Sequence, residues 1–415
     1  MKSRPSFNNY NRMSIITDPQ KINHLLSRGV ERIYPSREFL EARLQEGKPL
    51  TLYLGIDPTG PNLHMGHAIV LRKMREFQEL GHKLILLIGD FTGMIGDPSD
   101  KSATRVRLTH DQVLENAKNY QAQASKLIIL EGENAAEVKY NSTWLGQMTF
   151  ADVVELASHF TVQQLLERDM FEKRMEEGHP IHLHEFLYPT MQGYDCVAMD
   201  VDGEIGGNDQ TFNMLAGRDL MKDLKGREKF VVTMKLLVDP TGKKMGKSEG
   251  NMICLCDSAD EMFGKVMSWT DGMIVPGFEL CTFVTDEEIQ AVASQLKEGT
   301  NPRDLKAELG RKVVEIYHGR EAAQAASDRF DQLFREHQSP EEMPIFAVSV
   351  ETNIVDLLVA CGSASSKTEA RRLIDGKGIK VGDRVVETYE EIVIPTKEGI
   401  ILQKGKRHFV KIVLI

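Results

Sequence analysis

Two histidines that share one helical turn are the first residues of the chain whose spacing suits phosphate chemistry. His64-Met65-Gly66-His67 follows a predicted strand and begins a predicted helix, and the unpaired N–H groups of a helix N-terminus attract phosphate. Because His64 and His67 are three residues apart, both can donate hydrogen bonds to phosphate oxygens. Gly66 lets a flat base approach the backbone. Surface histidines are common, so this motif alone does not establish a site.

A lysine-rich segment further along the chain has complementary chemistry. Lys243-Lys244-Met245-Gly246-Lys247-Ser248 follows Asp239-Pro240-Thr241-Gly242. Lysines in a glycine-bounded loop suit a mobile cationic clamp, and a charged surface turn is the alternative. In order and separation, the two motifs together resemble the HIGH and KMSKS signatures of class I aminoacyl-tRNA synthetases. Met65 replaces the usual isoleucine and Gly246 the usual serine, and neither change removes a group that binds phosphate.

Four further motifs resemble one family of that class, the tyrosyl-tRNA synthetases. They are Asp-Pro-Thr within 52–60, Gly-Asp-Pro-Ser within 95–99, Tyr-x-x-x-Gln-x-x-Asp at 188–195 and Gly-Gly-x-Asp-Gln at 206–210. The resemblance extends over nearly the whole chain from Ile15 onward. It implies an α/β fold, in which a class I Rossmann-like, doubly wound parallel sheet is followed by a helical domain and a small α+β RNA-binding domain.

The same resemblance implies roles for individual residues. The implied catalytic residues are His64, His67, Lys244, Lys247, Thr59, Lys101 and Arg105. Those that bind tyrosine are Tyr53, Asp97, Tyr188, Gln192, Asp195 and Gln210. Those that bind ATP are Gly55, Asp57, His64, Gly66, His67, Gly207, Asp209 and Lys247.

Within these sets, the resemblance implies which part of each substrate a residue contacts. Tyr53 and Asp195 contact the phenol hydroxyl of tyrosine. The ammonium group is held by Asp97, Tyr188 and Gln192, and Gln210 lies near the reacting carboxylate. Asp209 binds the ribose of ATP, while Lys101 and Arg105 are mobile cations that act on pyrophosphate. Taken one at a time, Asp57 and Tyr194 could equally stabilise turns or packing.

The implied reaction joins L-tyrosine to tRNA(Tyr) through a tyrosyl-adenylate. A carboxylate is already a nucleophile, so no general base is needed, and catalysis depends on positioning and charge stabilisation. No tightly bound cofactor and no metal site in the protein are expected, although Mg²⁺ accompanies ATP. A tryptophanyl-tRNA synthetase is one alternative, but Tyr53 and Asp195 match an indole ring poorly. A non-catalytic RNA-binding homologue is another, and the complete signatures disfavour it.

Local patterns predict the elements that position these residues. Helices are predicted at 19–28, 36–47, 66–80 and 111–126; Asp18 is the N-cap of the first, and Pro35-Ser36 opens the second. Strands are predicted at 51–56, 84–89, 127–130, 197–201 and 230–238. This alternation predicts a parallel, doubly wound sheet. Residues 150–182 form a predicted helical insertion whose apolar stripe covers a dimer interface or packs in the core.

The patterns give the predicted domain bounds, and the family resemblance implies what each domain does. They are a leader and helix at 1–33, a Rossmann-like catalytic domain at 34–257, a helical anticodon-side domain at 258–338, a linker at 339–349 and an RNA-binding domain at 350–415. In the last, Lys367, Arg371 and Arg372 form one basic stripe at helical spacing. The segment resembles the small RNA-binding domain first seen in the fourth protein of the small ribosomal subunit, which implies tRNA binding. A solvated helix face is the alternative.

Composition limits the other possibilities. The net charge of −10 argues against a general polyanion-binding protein. No apolar run reaches the roughly 18 residues of a transmembrane helix, so no membrane partner is expected. Five cysteines form an odd, sparse set that does not suit a disulfide framework. The acid-free segment before Asp18 is interpreted as a polar leader rather than a transit peptide. The family resemblance implies a cytoplasmic homodimer that binds ATP, L-tyrosine and tRNA(Tyr), and the composition is compatible with it.

Overall fold

The computed structural model describes residues 14–97, 108–167, 169–239, 252–335, 343–348, 350–382, 384–396, 399–405 and 408–414. The chain divides into two compact units between Ser327 and Asp328. The strands of the first unit are β1 (Val30–Tyr34), β2 (Thr51–Ile56), β3 (Lys83–Ile88), β4 (Glu137–Tyr140), β5 (Gly203–Gly207) and β6 (Phe230–Met234).

Helices surround these strands. Those before residue 200 are α1 (Pro19–Ser27), α2 (Arg37–Gln45), α3 (Met65–Glu79), α4 (Thr92–Ile95), α5 (His110–Ala117), α6 (Tyr120–Ala124), α7 (Ser142–Leu145), α8 (Phe150–Ala157), α9 (Val162–Leu166), α10 (Asp169–Glu176) and α11 (Leu183–Met199). Those after it are α12 (Thr211–Lys225), α13 (Ala259–Met267), α14 (Ile274–Cys281), α15 (Asp286–Lys297), α16 (Pro302–His318) and α17 (Arg320–Arg335).

The sheet of the first unit has the strand order β1-β6-β5-β2-β3-β4, and every pairing except the antiparallel one between β1 and β6 is parallel. β2 pairs with β3 along all six of its residues. The described ladder between β2 and β5 contains only the pairs Leu52↔Gly203 and Tyr53↔Glu204. Chain order reverses between these two strands, and this is the position at which open α/β sheets bind ligands.

Several predicted elements are confirmed. β2 has the predicted bounds, and Asp18 and Ser36 cap α1 and α2 by accepting hydrogen bonds from backbone N–H groups. α3 ends one residue before its C-cap Leu80, and Gly81 follows with a φ of +93°. A glycine adopts this left-handed conformation without steric cost, so the helix stops where the sequence predicts.

Two predicted strands are wrong. Residues 127–130 are not a strand; the parallel partner of β3 is β4, whose Glu-Val-Lys-Tyr sequence has no apolar run. Residues 197–201 are not a strand either, because α11 continues to Met199 and ends at Asp200 in the left-handed region. The strand that follows, β5, is Gly-Glu-Ile-Gly-Gly, a sequence with little β-propensity. The helix predicted at 111–126 is divided into α5 and α6, and β1 was not predicted.

Some apolar side chains of the helical insertion are buried, and others are exposed. Leu156 packs into a core cluster with Tyr53 and Ile85. By contrast, Phe150, Val154 and Val162 are 84%, 54% and 60% exposed.

The second unit begins within α17, and its described residues after that helix form two short helices and seven strands. The helices are α18 (Ile354–Ala360) and α19 (Lys367–Asp375), and the strands are β7 (Ile345–Val348), β8 (Thr352–Asn353), β9 (Ile379–Val381), β10 (Arg384–Val385), β11 (Ile392–Val393), β12 (Ile400–Lys404) and β13 (His408–Leu414). A five-stranded sheet has the order β10-β9-β12-β13-β7, and β8 pairs with β11. β7 lies within the segment predicted as a linker. Buried Ile354, Leu358 and Ile374 form part of this unit's own core.

Candidate active site

A cavity of about 490 Å³ opens at the carboxyl edge of the parallel sheet. Each parallel strand contributes a residue that lies on or just beyond its end. These residues are Asp57 after β2, Gly89 after β3, Asn141 after β4, Asp209 after β5 and Leu236 after β6. The cavity therefore occupies the site that the fold class favours for a ligand.

Most of the predicted site residues line this one cavity. Those that do are Tyr53, Gly55, Asp57, Thr59, His64, Gly66, His67, Asp97, Tyr188, Gln192, Asp195, Gly207, Asp209 and Gln210. Lys101, Arg105, Lys244 and Lys247 lie outside the described residues. Lys367, Arg371 and Arg372 belong to the second unit.

The histidine motif forms the N-terminus of α3 as a capping box. The Nδ1 atom of His64 accepts from the Gly66 N–H at 3.1 Å, and that of His67 accepts from the His64 N–H at 3.2 Å. A neutral imidazole that accepts at Nδ1 carries its proton on Nε2, so both rings are set to donate from Nε2. Burial, together with His64, holds the pKa of His67 well below its usual range.

The packing of His64 also requires a glycine at position 66, independently of the predicted approach of a base. A Cβ atom at this position would lie 2.9 Å from Cε1 of His64. A side chain would therefore push away the ring that caps the helix. Local contacts within the histidine motif therefore orient its two hydrogen-bond donors, the Nε2–H groups of His64 and His67.

Asp57 joins three elements at the centre of the cavity. Its Oδ1 accepts from Thr92 Oγ1 at 2.7 Å, and its Oδ2 accepts from the Tyr188 hydroxyl at 2.8 Å. A Cβ atom on Gly89 would lie 1.9 Å from Oδ1, so only glycine fits beside this carboxylate. The hydrogen bond that Tyr188 donates to Asp57 also fixes the position of the Tyr188 side chain.

Asp195 is the most deeply placed carboxyl group of the cavity. It is 2% exposed, and its Oδ1 accepts from Trp144 Nε1 at 2.8 Å while its Oδ2 accepts from Asn141 Nδ2 at 3.3 Å. Burial raises the pKa of Asp195 well above its usual range, although these two hydrogen bonds oppose the rise. Both oxygens are thus committed as acceptors, and any further partner must be a hydrogen-bond donor.

Tyr53 presents an unsatisfied hydroxyl to the same cavity. The side chain is fully buried, and its hydroxyl has no hydrogen-bond partner among the described residues. Burial, and next the charge of Glu204, raise the pKa of Tyr53 well above its usual range. A buried orphan hydroxyl is costly unless a ligand completes it.

Two amide side chains that line the cavity donate to carboxylates. Gln210 donates from Nε2 to Asp97 Oδ2 at 2.6 Å, and its Oε1 accepts from Asn213 Nδ2 at 2.9 Å. Gln192 donates from Nε2 to Glu204 Oε1 at 3.4 Å. Amide and carboxylate groups here can bind an ammonium group through their oxygens.

The ends of the segment predicted to carry the lysine clamp also reach the cavity. Leu237 before it and Met252 after it line the wall. The residues that follow are tied to the histidine motif, because the Met65 N–H donates to the Ile253 carbonyl at 2.9 Å and the Leu255 N–H to the Leu63 carbonyl at 2.9 Å. Residues 253–255 are therefore hydrogen-bonded through the backbone to the histidine motif.

Sequence reasoning missed four polar residues of the site. They are Thr92, Asn141, Trp144 and Glu204, which contact Asp57, Asp195 or Gln192. Asn141 directly follows β4, so a correct prediction of that strand would have pointed to it. A charged residue inside the Gly-rich strand β5 was the available signal for Glu204.

In the second unit, part of the predicted basic stripe borders a separate hollow. Lys367 and Arg371 line it together with Tyr389, and the guanidinium of Arg371 is 5.9 Å from the Tyr389 ring centroid. Lys367 also forms an exposed ion pair with Asp356 at 2.7 Å.

Neither a cluster of metal ligands nor a helix able to cross a bilayer occurs among the described residues. No group of three or more histidine, cysteine, aspartate or glutamate residues is arranged to hold a metal ion. No described helix combines the length and the apolar character that crossing a bilayer requires.

Comparison with known families covers both units. The family described as tRNA synthetases class I (W and Y) matches residues 45–335. The family described as the tyrosine–tRNA ligase SYY-like C-terminal domain matches residues 336–412.

Curated relatives match over almost their entire length. A tyrosine–tRNA ligase of Thermotoga maritima is 45% identical over 95% of this chain and 98% of its own. One of Carboxydothermus hydrogenoformans is 43% identical over 94% and 97%.

Solved structures share the fold. A C-terminally truncated mitochondrial tyrosyl-tRNA synthetase of Aspergillus nidulans has a TM-score of 0.65 and 21% identity, covering 76% of this chain and 94% of its own. The Archaeoglobus fulgidus tyrosyl-tRNA synthetase complexed with L-tyrosine has a TM-score of 0.59 and 21% identity, covering 74% and 99%. With the two family matches and the curated relatives, the conclusion is that this chain belongs to the tyrosine–tRNA ligase family of class I aminoacyl-tRNA synthetases.

Proposed function

We propose that this protein activates L-tyrosine with ATP and transfers the tyrosyl group to tRNA(Tyr). The observation that carries the proposal is the single cavity lined by all the described residues predicted for tyrosine and ATP. It lies in a chain that is 45% identical to a tyrosine–tRNA ligase.

In the first step the tyrosine carboxylate attacks the α-phosphorus of ATP. A bond forms between a carboxylate oxygen and that phosphorus, the bond to the bridging oxygen breaks, and pyrophosphate leaves. His64 and His67 donate from Nε2 to phosphate oxygens, where negative charge develops. Such fixed donors contribute most when they are already oriented, as the capping box orients these rings. Thr59, Lys244 and Lys247, with Lys101 and Arg105, complete the phosphate contacts.

The polar groups at the base of the cavity select tyrosine over tryptophan and phenylalanine. Asp195 accepts from the phenol hydroxyl, since both of its oxygens are acceptors, and Tyr53 supplies the second partner. An indole or phenyl ring would leave these buried groups unpaired, which costs more than one hydrogen bond gains. Asp97, Tyr188 and Gln192 hold the ammonium group, and Gln210 lies near the carboxylate.

The nucleotide occupies the part of the cavity next to α3. Gly55 and Gly66 allow its base to approach the backbone, and Asp209 binds the ribose. A Cβ atom on Gly207 would lie 2.5 Å from Oδ1 of Asp209, so glycine is required there. Mg²⁺ enters with ATP, because phosphate oxygens and water can supply the ligands that this ion prefers.

The second step uses the remainder of the chain. We assign residues 258–338 to the anticodon side of the tRNA and residues 350–415 to RNA binding, with Lys367, Arg371 and Arg372 in contact with phosphates. Their exposure on α19 supports this assignment. The terminal adenosine of the tRNA then takes the tyrosyl group from the adenylate and AMP leaves.

We further propose that the protein is a cytoplasmic homodimer. Exposed Phe150, Val154 and Val162 on α8 and α9 support self-association, because large apolar side chains seldom cluster on a monomer's surface. Free cysteines at all five positions suit a reducing compartment. Sedimentation of the wild type and of Phe150→Asp, with Lys48→Asp as a surface control, tests the dimer.

Tyrosine-dependent exchange between ATP and labelled pyrophosphate tests the function directly. We expect exchange with tyrosine, at least 10³-fold less with tryptophan or phenylalanine, and charging of tRNA(Tyr) transcripts. Exchange with tryptophan alone would make the protein a tryptophanyl enzyme. No exchange with any amino acid, but retained tRNA binding, would make it a non-catalytic RNA-binding protein.

A further inference from the structure

A buried ion pair next to the cavity takes no part in the steps above. Lys229 Nζ lies 2.5 Å from Glu204 Oε2, and the two side chains are 0% and 3% exposed. Removing two charges from water is expensive, so such a pair rarely contributes net stability. The position of this ion pair beside a ligand cavity therefore indicates a role other than stabilising the fold.

The sheet places Glu204 where β2 and β5 separate. Glu204 is the direct partner of Tyr53 in the last described pair of that ladder, and it lines the cavity. Its Oε2 faces Lys229, while its Oε1 accepts from Gln192 Nε2 at 3.4 Å. The carboxylate thus connects a buried cation to an amide of the tyrosine site.

This contact determines which way the Gln192 amide points. An ionised carboxylate can only accept hydrogen bonds, so the NH₂ group of Gln192 must face it. The Oε1 atom of Gln192 is then directed elsewhere, and it is buried with no partner in the described part of the chain. Gln192 lines the cavity, so a ligand with hydrogen-bond donors can satisfy this orphan oxygen.

The ammonium end of Lys229 packs closely against Gly217, where a larger residue would leave it less room. A Cβ atom on Gly217 would lie 2.8 Å from Lys229 Nζ, and one on Gly193 would lie 3.1 Å from the Gly217 nitrogen. These two glycines let α11 and α12 approach closely and leave room for the ammonium group beside them. Lys229 Nζ is also 5.8 Å from the ring centroid of Tyr53.

We propose that Glu204 and Lys229 are a positioning pair, which fixes the Gln192 amide with its oxygen directed at the ammonium group of tyrosine. The ammonium group of Lys229 donates to Oε2 of Glu204, and Oε1 of Glu204 accepts from the NH₂ end of Gln192. Neither residue touches the reacting atoms. This inference rests on the proposed function, in which Gln192 binds the ammonium group.

Two double variants separate positioning from folding. Glu204→Leu with Lys229→Met removes both charges and the acceptor, without leaving a buried charge unpaired. Glu204→Gln with Lys229→Met also removes both charges but keeps an oxygen that can accept from Gln192. The readout is the dissociation constant for tyrosine and for 3-(4-hydroxyphenyl)propionate, which has the same phenol and carboxylate but no amine.

For the leucine variant we expect tyrosine binding to weaken about 10- to 100-fold, because a hydrogen bond to a charged group is lost. Binding of the deaminated analogue should stay within about twofold, a change far smaller than one hydrogen bond produces. The glutamine variant should recover only part of the affinity for tyrosine, because its amide can turn either its oxygen or its NH₂ group toward Gln192. Equal weakening for both ligands, or no weakening for tyrosine, would overturn the proposal.

A single variant covers the case in which the double variants do not fold. Glu204→Asp keeps the charge near Lys229 but shortens the reach toward Gln192, so it should weaken tyrosine binding selectively as well. Wild-type exchange activity with tyrosine tests the proposed function separately. An active wild type with unselective variants would refute the positioning pair alone.

Discussion

The tyrosine pocket and the basic stripe of α19 place their polar groups in opposite environments. Asp195 and Tyr53 are buried and line a cavity. Their hydrogen-bond partners must therefore be protein groups or a bound ligand, not bulk water. Lys367 and Arg371 are exposed on a helix face. Buried groups discriminate through the cost of an unpaired atom, whereas exposed charges add small, salt-dependent increments. Mutations in the two regions should therefore differ in size and in kind.

The largest expected effect is that of Asp195→Asn. Both carboxylate oxygens accept hydrogen bonds, from Trp144 and from Asn141. An asparagine must turn its NH₂ group toward one of these donors, and it loses the charge that meets the phenol hydroxyl. We expect kcat/KM for tyrosine in pyrophosphate exchange to fall about 10²–10³-fold, or about 3–4 kcal/mol.

Asp200→Asn is the matched control for that variant. Asp200 is exposed and ends α11 in a left-handed conformation that asparagine also adopts readily. Its exchange kinetics should equal those of the wild type. Unchanged kcat/KM for Asp195→Asn would mean that other residues bind the phenol hydroxyl.

His82, a buried histidine that directly precedes β3, should make stability depend on pH. Burial lowers the pKa of His82 to about 4, and its Nδ1 accepts from the Leu50 N–H at 3.2 Å. The unfolded chain binds a proton first, near the ordinary histidine value of about 6.5. Stability is therefore complete above about pH 6.5 and is lost as pH falls toward about 4, by at most about 1.4 kcal/mol per pH unit.

Urea unfolding at several pH values measures this slope. Trp144 and Trp269 both lie in the first unit, so their fluorescence reports its unfolding. His82→Gln should flatten the slope between about pH 6.5 and 4. The exposed His179→Gln should leave it as it is, and an equal effect of both variants would contradict the assignment.

Tyr53→Phe should have a smaller effect, confined to the substrate. The hydroxyl has no partner among the described residues, so its removal should not lower the free energy of unfolding. Discrimination between tyrosine and phenylalanine should relax about tenfold, the value of one neutral hydrogen bond. Tyr120→Phe provides the contrast, because its hydroxyl donates to the Gly60 carbonyl at 2.6 Å. That variant should lose about 1 kcal/mol of stability and keep its discrimination.

The same contrast explains how much could be predicted from the sequence. Residues such as His64 and Asp195 belong to motifs that are visible in the sequence itself, and they line one cavity as a single set. Glu204 and Asn141 escaped prediction because they belong to β5 or follow β4, strands with little apolar signal. Their partners lie more than ten positions away in the chain, so only the folded sheet brings them together.

Local pattern also failed where tertiary context decided the outcome. The apolar segment 127–130 resembles a strand but joins no ladder in the described sheet, since β4 occupies the place beside β3. α11 retains Pro189 inside the helix, which propensity alone would forbid. Packing against α12 and the sheet stabilises α11 despite this proline, and that packing is what carries Tyr188 and Gln192 to the cavity.

The smallest expected effects belong to the basic stripe. Arg371→Ala should weaken tRNA(Tyr) binding only a few-fold and reduce the slope of log Kd against log salt by about one. Arg371 also lies near the Tyr389 ring, so Arg371→Lys should recover the salt slope without the full affinity. Tyrosine-dependent exchange should not change, because α19 belongs to the other unit and not to the cavity. Lys48→Ala, an exposed lysine of the first unit, is the matched control and should change neither quantity. Loss of exchange activity in Arg371→Ala would mean that the second unit acts on the pocket itself, and the distinction between buried selectivity and exposed affinity would fail.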